Sequence, residues 1–578
     1  MRRNPTELTD REFDVLIIGG GSFGAAAARE AALRGLRAAL IERSDFGAGA
    51  SSECFKMVHG GIRYLQHADF TRLRSSCHER TTFLRIAPHL VQPLPIAIPT
   101  YGHGRRGKVF LGAGACLYDL LTLDRNRAIR DPARRIHRTR FLGRAELLGL
   151  FPHLDAPDLS GAVVFEDGQM YNPARLVLAF VRAAAELGAT VCNYMEARSY
   201  LWDGSNVIGA RARDVLSGEE IEIRARLTLN AAGPWADFVN RDEARFGPFA
   251  RAPFSRDAYF IVERAPVSPY ALAVQGLSRD KDAVLSRSKR HLFAVPWRDK
   301  TLFGVWHRHW LAHPDTAHVT DEELDAWIAE LNTVYPALQL TREEVSFANC
   351  GLVPFGETAT PEELSFGKES RLIDHRRSHG VGGLVSLVGI RFTTARIDAE
   401  RALNVLLEQW PDRRFPHRVS ASTHAPLPGG DIADFGAFSA EWRRRLQGLP
   451  QATIDGLVRN FGADVERLFD GIAPQMLAAL PLIGKSTLLR EISYAVEHEM
   501  AMRLDDVVLR RTDLAAGAHP GRDALERAAR EMARLLGWSA QRTAEEVART
   551  EEILRKHHAR VDAATPRPHV SDTHRAVG

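Results

Sequence analysis

A mixed α/β fold followed by an all-helical C-terminal domain is predicted by three features of this sequence. The first is a β-α-β unit near the N-terminus whose first turn is built of glycines. The second is a set of short alternating apolar runs between about 250 and 310, the pattern of antiparallel strands buried on one face. The third is a change of character after LPGG (427–430): from about 435 to 555 every periodic segment is helical.

Taken in order, FDVLII (13–18) reads as a strand buried on both faces, and GGGSFG follows at once. AAAAREAALRGL (25–36) is helical in period, and RAALIE (37–42) is a second strand ending in Glu42. From about 85 to 225 strand-like runs such as GAVVFED (161–167) alternate with helices such as PARLVLAFVRAAAELG (173–188). ARLTLNAAG (225–233) is a strand ending in small residues, and AYFIVE, HLFAVPW and TLFGVW are the alternating runs beyond 250. Thr320 and Glu323 form a capping box for a helix with Leu324, Trp327, Ile328 and Leu331 on one face. Residues 383–410 read as strand, glycine turn and helix. Leu525, Ala528, Met532 and Leu535 line one face of a later helix, which reads as core. The last residues, VDAATPRPHVSDTHRAVG, have no periodicity and are expected to be disordered.

With 578 residues the chain exceeds one compact core. A hydrophobic share of 45% and a charged share of 26% are those of ordinary globular domains. A net charge of +4 is small for this length and gives no reason to expect a nucleic-acid partner. The basic clusters at Arg105, Arg106 and Lys108, and at Arg134, Arg135, Arg138 and Arg140, read as solvated faces. Five scattered cysteines without a CxxC pair predict neither disulfides nor a metal site. The charged N-terminus is no secretory signal and no long apolar run exists, so a cytoplasmic or membrane-surface location is expected.

Gly19-x-Gly21-x-x-Gly24 stands between strand and helix, with Glu42 closing the next strand, which is the context a dinucleotide fingerprint requires. The first glycine permits the tight turn, the second lets the backbone approach a pyrophosphate, and the third lets helix and strand pack closely. Ser22 and Phe23 open the helix, whose amides and dipole face the phosphates; Arg43 follows the carboxylate. Glu42 is expected to accept from a ribose hydroxyl. A simple NAD domain would continue with further β-α units. Here the chain leaves on a long polar excursion, SSECFKMVHGGIRYLQH (51–67), and returns first at Asn230-Ala231-Ala232-Gly233. It returns again at Gly389-Ile390-Arg391-Phe392-Thr393-Thr394, opening a helix whose positive end suits a flavin that gains negative charge. Three separated visits to one cofactor predict FAD, and hence a Rossmann-like FAD-binding domain interleaved with an antiparallel-sheet substrate domain.

The stretches IIGGGSFG, Ser51-Ser52, Lys56, HGGIRYL (59–65), NAAGPW, Pro428-Gly429-Gly430 and EISYAVEHEMAMRLDDVVLRRT (491–512) resemble the FAD-dependent glycerol-3-phosphate dehydrogenases of the D-amino-acid-oxidase-like flavoprotein superfamily. They cover about residues 12–550 in the right order. The resemblance implies an oxidoreductase unit over 12–425, with FAD-binding segments near 12–85, 160–250 and 350–410 and substrate-domain segments near 86–160 and 250–350. A helical domain over 426–555 and a tail over 556–578 complete the chain. It further implies that Ser51, Ser52, His59, Gly60 and Gly61 approach the flavin with Ala232, Gly233, Gly389, Arg391, Phe392 and Thr393, while Arg63 and Tyr64 border the substrate. Lys56 reads equally as a surface charge or a member of the site.

The sequence departs from this family where a phosphate would be held. The family's Gly-x-Arg-Pro reads Gly351-Leu352-Val353-Pro354, its Gly-Ser-His reads Asp257-Ala258-Tyr259, its Gly-Thr-Thr-Asp reads Gly304-Val305-Trp306-His307, and its Gly-Gly-Lys reads Gly389-Ile390-Arg391. A lost charge-assisted bond to phosphate costs about 1.5–3 kcal/mol. Either Arg391, Arg63, Lys368 and His307-Arg308-His309 hold the phosphate by another route, or Tyr259, Trp306 and Phe55 line a pocket for a more aromatic hydroxy or amino donor. The resemblance implies hydride transfer to flavin N5 with a base taking the donor's proton. His307, Tyr259 and His59 are candidates for that base, and Arg391 for stabilising the reduced flavin. It also implies a membrane quinone as electron acceptor and a peripheral position, for which RRGKVFLGAGACLYDLL (105–121) reads as either an interfacial segment or a core helix. An oxidase using oxygen, and a non-catalytic redox-responsive flavoprotein, stay open as alternatives.

Overall fold

The computed structural model describes residues 1–62, 64, 69–102, 107–154, 156, 158–247, 253–279, 289–354, 370–410 and 420–560. Arg63, Arg105, Arg106, Lys368 and residues 561–578 of the expected tail lie outside them.

The first layer is a sheet in the order Arg371–Asp374, Leu384–Val388, Glu220–Asn230, Phe13–Ile18, Ala38–Ile41, Thr190–Cys192. Its inner pairings are parallel and the Arg371–Asp374 edge is antiparallel. Alternation decides what each face meets. Val15, Ile17, Leu40, Leu227 and Leu229 point to a core shared with helices Ser22–Leu33, Pro173–Glu186 and Ala395–Leu407. Leu16, Ile18, Ala39 and Ile41 point the other way, onto a hairpin of Met195–Asp203 and Asn206–Asp214 that continues the Glu220–Asn230 strand. The alanine run has its use here: Ala25 to Ala28 are buried in the helix-side core, where small side chains let the elements approach.

The second layer is a sheet in the order Val345–Pro354, Phe254–Val262, Lys300–Trp310, Lys289–Trp297, Ala271–Arg279, Val91–Tyr101, Leu159–Met170, Met57–Val58. It is antiparallel except where Ala271–Arg279 meets Val91–Tyr101. The capping-box helix, Asp321–Val334, covers its back face; Thr320 and Glu323 exchange side-chain-to-backbone hydrogen bonds at 3.3 and 3.0 Å. Leu324, Trp327, Ile328 and Leu331 are buried there, with Trp306 stacked on Trp327 at 4.6 Å and on Phe260 at 5.7 Å. Trp306 therefore belongs to this core and not to a substrate pocket.

The C-terminal region supplies a third layer. Leu504, Val507, Leu525, Ala528 and Met532 share one core with Ile261, Val295, Leu302 and Phe347 of the second sheet. Helix Arg522–Leu536 buries the expected face, with Leu535 half-buried. One difference from the sequence expectation is a two-residue hairpin, Leu482–Ile483 with Thr487–Leu488, inside the otherwise helical region. A second is a π-helical turn, Asp506–Arg511, from whose last two residues Arg510 and Arg511 both reach Asp45. The last helix ends at Lys556, and the chain stays packed beyond it: His557 stacks on Phe347 at 4.8 Å and Ala559 is buried. All five cysteines are free.

Candidate active site

Between the two sheets lies a cavity of about 1380 Å³, lined by segments from all three chain visits. At one end stands the glycine turn. Gly19 has a φ of +105°, and a Cβ there would lie 2.6 Å from the Ala231 carbonyl oxygen. A Cβ on Gly24 would overlap the Gly19 carbonyl, so this residue serves the packing of helix on strand and does not itself line the cavity. Gly21 precedes the helix and has no side chain to cap it; the Ser22 amide donates instead to Ser51 Oγ at 3.0 Å. The first-turn amides are thus presented at the cavity edge.

Glu42 receives the Gly20 amide at 2.6 Å and the Ser44 amide at 2.8 Å. Burial pushes its carboxyl pKa up, while those two hydrogen bonds pull against the shift. Each carboxylate oxygen keeps acceptor capacity beyond one amide. Arg43 stands at the mouth, bonded to Asp315 at 2.5 Å with its guanidinium 4.4 Å from the Trp235 ring.

The two returns close the middle. Ala232 and Gly233 line the cavity, as do Gly389, Arg391, Phe392 and Thr393. A side chain on Gly389 would run into the Phe23 ring, so this glycine permits the close approach of the two segments. Thr393 Oγ1 accepts the His59 amide at 3.2 Å, tying the polar excursion to this turn. Arg391 donates to the Tyr64 hydroxyl, and its buried Nε has no hydrogen-bond partner. Of the excursion residues expected at the cofactor or the substrate, Ser51, His59, Gly61 and Tyr64 line the cavity. Ser52, bonded to the Gly49 carbonyl at 3.2 Å, does not. Gly60 also stands behind the wall, its amide on Asp167 Oδ1 at 2.6 Å.

The far wall is the front of the second sheet. Asp257 and His307 face each other across neighbouring strands, with His307 Nδ1 2.8 Å from Asp257 Oδ1. Phe55, Phe293, Val305 and Val353 give this wall an apolar surface. Tyr259 reaches the wall only by its edge, being 1% exposed, and its hydroxyl is fully engaged. It accepts from Lys56 Nζ and Asn349 Nδ2, both at 2.8 Å, and donates to the Cys54 carbonyl at 2.9 Å. Burial drives the phenol pKa well above its usual value. Lys56 is buried and not a surface charge; it takes a left-handed φ of 58°, and burial lowers its pKa to about 8.

Sequence reasoning did not single out Asp257 as a site residue, although it fell on a position where the family differs. It also missed Asp167, a buried acid beside Arg80 at 2.7 Å that accepts the Gly60 amide and lines the cavity. Its signal was an acidic pair ending an otherwise apolar strand, GAVVFED.

A model of the FAD dependent oxidoreductase family matches residues 14–391, and one of the C-terminal domain of alpha-glycerophosphate oxidase matches residues 420–543. A glycerol-3-phosphate dehydrogenase of Synechocystis sp. is 31% identical over 569 residues, covering 96% of this chain and 98% of that protein. An alpha-glycerophosphate oxidase of Streptococcus pyogenes serotype M6 is 29% identical over 607 residues, with 95% of each chain covered. Among solved structures, the glycerol-3-phosphate dehydrogenase from Bacillus halodurans complexed with FAD matches with a TM-score of 0.71 at 23% identity. The match covers 97% of this chain and 98% of that one, a likeness of fold.

Proposed function

Since the chain belongs to the FAD dependent oxidoreductase family, with FAD as its cofactor, we propose that it oxidises the secondary hydroxyl of sn-glycerol 3-phosphate, or of a related hydroxy compound, to the ketone and passes the electrons to a quinone. One observation carries this reading. A single cavity joins the glycine turn and Glu42 to a wall bearing Arg391, Tyr64 and the Asp257–His307 pair, so nucleotide-binding and donor-binding groups share one enclosure.

The residues fit FAD. The helix entered at Gly21, its Ser22 amide on Ser51 Oγ, offers its remaining first-turn amides to a pyrophosphate, Glu42 offers acceptor capacity to a ribose, and Gly19 and Gly389 let the segments that line the cavity approach as no side chain would allow. When bound, FAD would supply the two-electron acceptor for the hydride lost from the donor carbon. The chain's own part is to bind, orient and move a proton. Arg391, held by Tyr64 and with Nε unpartnered, attracts a donor's anionic group. The apolar wall excludes water, and His307 is placed to accept the hydroxyl proton.

A specific observation favours a second donor. Val353 lines the wall where the family has arginine, and the Asp257 carboxylate faces the same space. A negative group beside a phosphate dianion disfavours it. A more aromatic hydroxy or amino compound suits Phe55 and Phe293 better. For the acceptor, Leu117 and Leu120 of helix Lys108–Leu121 and the neighbouring Leu123 are 42%, 64% and 67% exposed, an apolar surface that supports contact with a lipid layer holding quinone. Among the described residues no helix is long and apolar enough to cross a membrane.

Anaerobic mixing with a panel of donors tests the reading. Bleaching of the flavin by glycerol 3-phosphate is the first expectation, and bleaching only by aromatic hydroxy or amino compounds supports the second. Reoxidation by a soluble quinone faster than by oxygen supports the proposed acceptor. Flavin that stays oxidised with every donor, yet is reduced by dithionite, contradicts the proposal.

A further inference from the structure

We propose that Asp257 is the positioning residue for proton transfer in this site: it holds the His307 imidazole in the tautomer protonated at Nδ1, making Nε2 the nitrogen that takes the donor's proton. This deepens the reading above, on which it rests, that a hydroxyl is oxidised in the cavity.

The geometry is that of a built pair. Asp257 and His307 are directly opposed in the register of strands Phe254–Val262 and Lys300–Trp310, and both line the cavity. Nδ1 and Oδ1 are 2.8 Å apart. The same oxygen receives the hydroxyl of Ser255, at 2.6 Å from a fully buried side chain two residues back on the same strand face. An ionised carboxylate only accepts, so the proton between ring and carboxylate belongs to Nδ1. With both its neighbours donating, the carboxylate is fixed in rotation and in turn fixes the plane of the ring.

The sheet offers another proton acceptor in Tyr259, but that hydroxyl is spent on Lys56, Asn349 and the Cys54 carbonyl. The proton-accepting role therefore moves along the sheet face to the neighbouring strand. There the chain carries an acid and an imidazole where the family it resembles reads glycine and aspartate.

The step balances with FAD as oxidant. The donor's O–H bond breaks and its proton goes to Nε2. The C–H bond breaks with both electrons, the hydride passing to FAD, and the C–O bond becomes C=O. The imidazolium so formed lies against the Asp257 carboxylate, which stabilises its charge, and it returns the proton to water as the cofactor is reoxidised.

Asp257→Asn separates this role from packing, because the amide is isosteric and can donate to Nδ1, moving the ring proton to Nε2. In the FAD-loaded protein the limiting rate of anaerobic bleaching by the best donor is expected to fall roughly 10²–10⁴-fold. The half-saturating donor concentration is expected to change by less than about threefold, the signature of an interaction lost in the transition state. Flavin content, which reports folding, is expected to stay parental. Nitrogen-15 spectra of histidine-labelled, FAD-loaded protein supply a readout independent of any donor. The resonance lost in His307→Gln is expected to be an Nδ1–H tautomer in the parent, an Nε2–H tautomer in Asp257→Asn, and Nδ1–H again in Asp257→Glu. A parental limiting rate in Asp257→Asn, or an Nε2–H tautomer in the parent, overturns the proposal. If no donor bleaches the parent, the hydroxy-donor reading falls by itself, while the spectra still decide the tautomer.

Discussion

Gly24→Val is expected to yield a folded protein that has lost its FAD. The reason is steric and local. A Cβ at position 24 overlaps the carbonyl oxygen of Gly19, and Gly19 cannot yield. Its amide is bonded to the Ile41 carbonyl at 2.8 Å, its φ is +105°, and Ala231 presses on its other side. The helix Ser22–Leu33 must therefore back away from the strand, carrying its first-turn amides out of reach of a pyrophosphate. Losing two charge-assisted contacts at about 1.5–3 kcal/mol each weakens binding by roughly 100-fold or more. Overpacking costs the fold about 1–3 kcal/mol, a smaller effect. Titrating stripped protein with FAD and following flavin fluorescence checks this, with far-ultraviolet circular dichroism as the control for folding. A parental Kd in Gly24→Val would show that the helix N-terminus does not hold the phosphates.

Arg511→Met is expected to destabilise the protein by about 3–5 kcal/mol, the range for breaking a buried ion pair. Arg511 donates through both terminal nitrogens to Asp45 at 2.7 Å, and neither side chain is exposed. Burial alone would raise the Asp45 carboxyl; the guanidinia of Arg511 and Arg510 outweigh it and hold its pKa below the usual carboxylate range. The stability this supplies is present above the unfolded pKa of an aspartate, about 3.9, and is lost as pH falls through the lower folded value. Removing Arg511 leaves Asp45 in the same dry surroundings with Arg510 at 2.6 Å and Asn193 at 3.1 Å. Because Asp45 follows Glu42 and Arg43, the damage reaches the cavity, and FAD affinity is expected to fall along with the urea midpoint. Arg511→Lys, which keeps the charge but not the fork, is expected to lie between. An unchanged midpoint in Arg511→Met would mean that the C-terminal layer is not anchored through this pair.

The contrast between these two predictions shows what could be read from the sequence. The Gly24 effect was legible because its chemistry is local: strand, glycines, helix and acid follow one another within thirty residues, and each glycine has a backbone reason. The Asp45 effect was not, since its partner lies 466 residues away and depends on a π-helical turn that periodicity does not register. The front of the second sheet was half legible. His307 stood out as an imidazole on an alternating strand. Its pairing with Asp257, fifty positions off, follows from a register that shifts between Ala258 and Tyr259. That same shift settles which side each residue takes, so Trp306 is buried behind the sheet although it reads as a pocket aromatic in the linear sequence. Lys56 gave no sign of burial, because a lysine with a left-handed backbone has no signature in composition or period. The two-residue strands at Leu482 and Thr487 are too short to show any alternation.

The most direct measurement is a crystal structure of the FAD-loaded protein. The pyrophosphate is expected at the N-terminus of helix Ser22–Leu33, the ribose on Glu42, and the isoalloxazine beside Gly389–Thr393 with one face toward Asp257 and His307. An isoalloxazine turned away from that wall, or a nucleotide bound elsewhere on the chain, would contradict it.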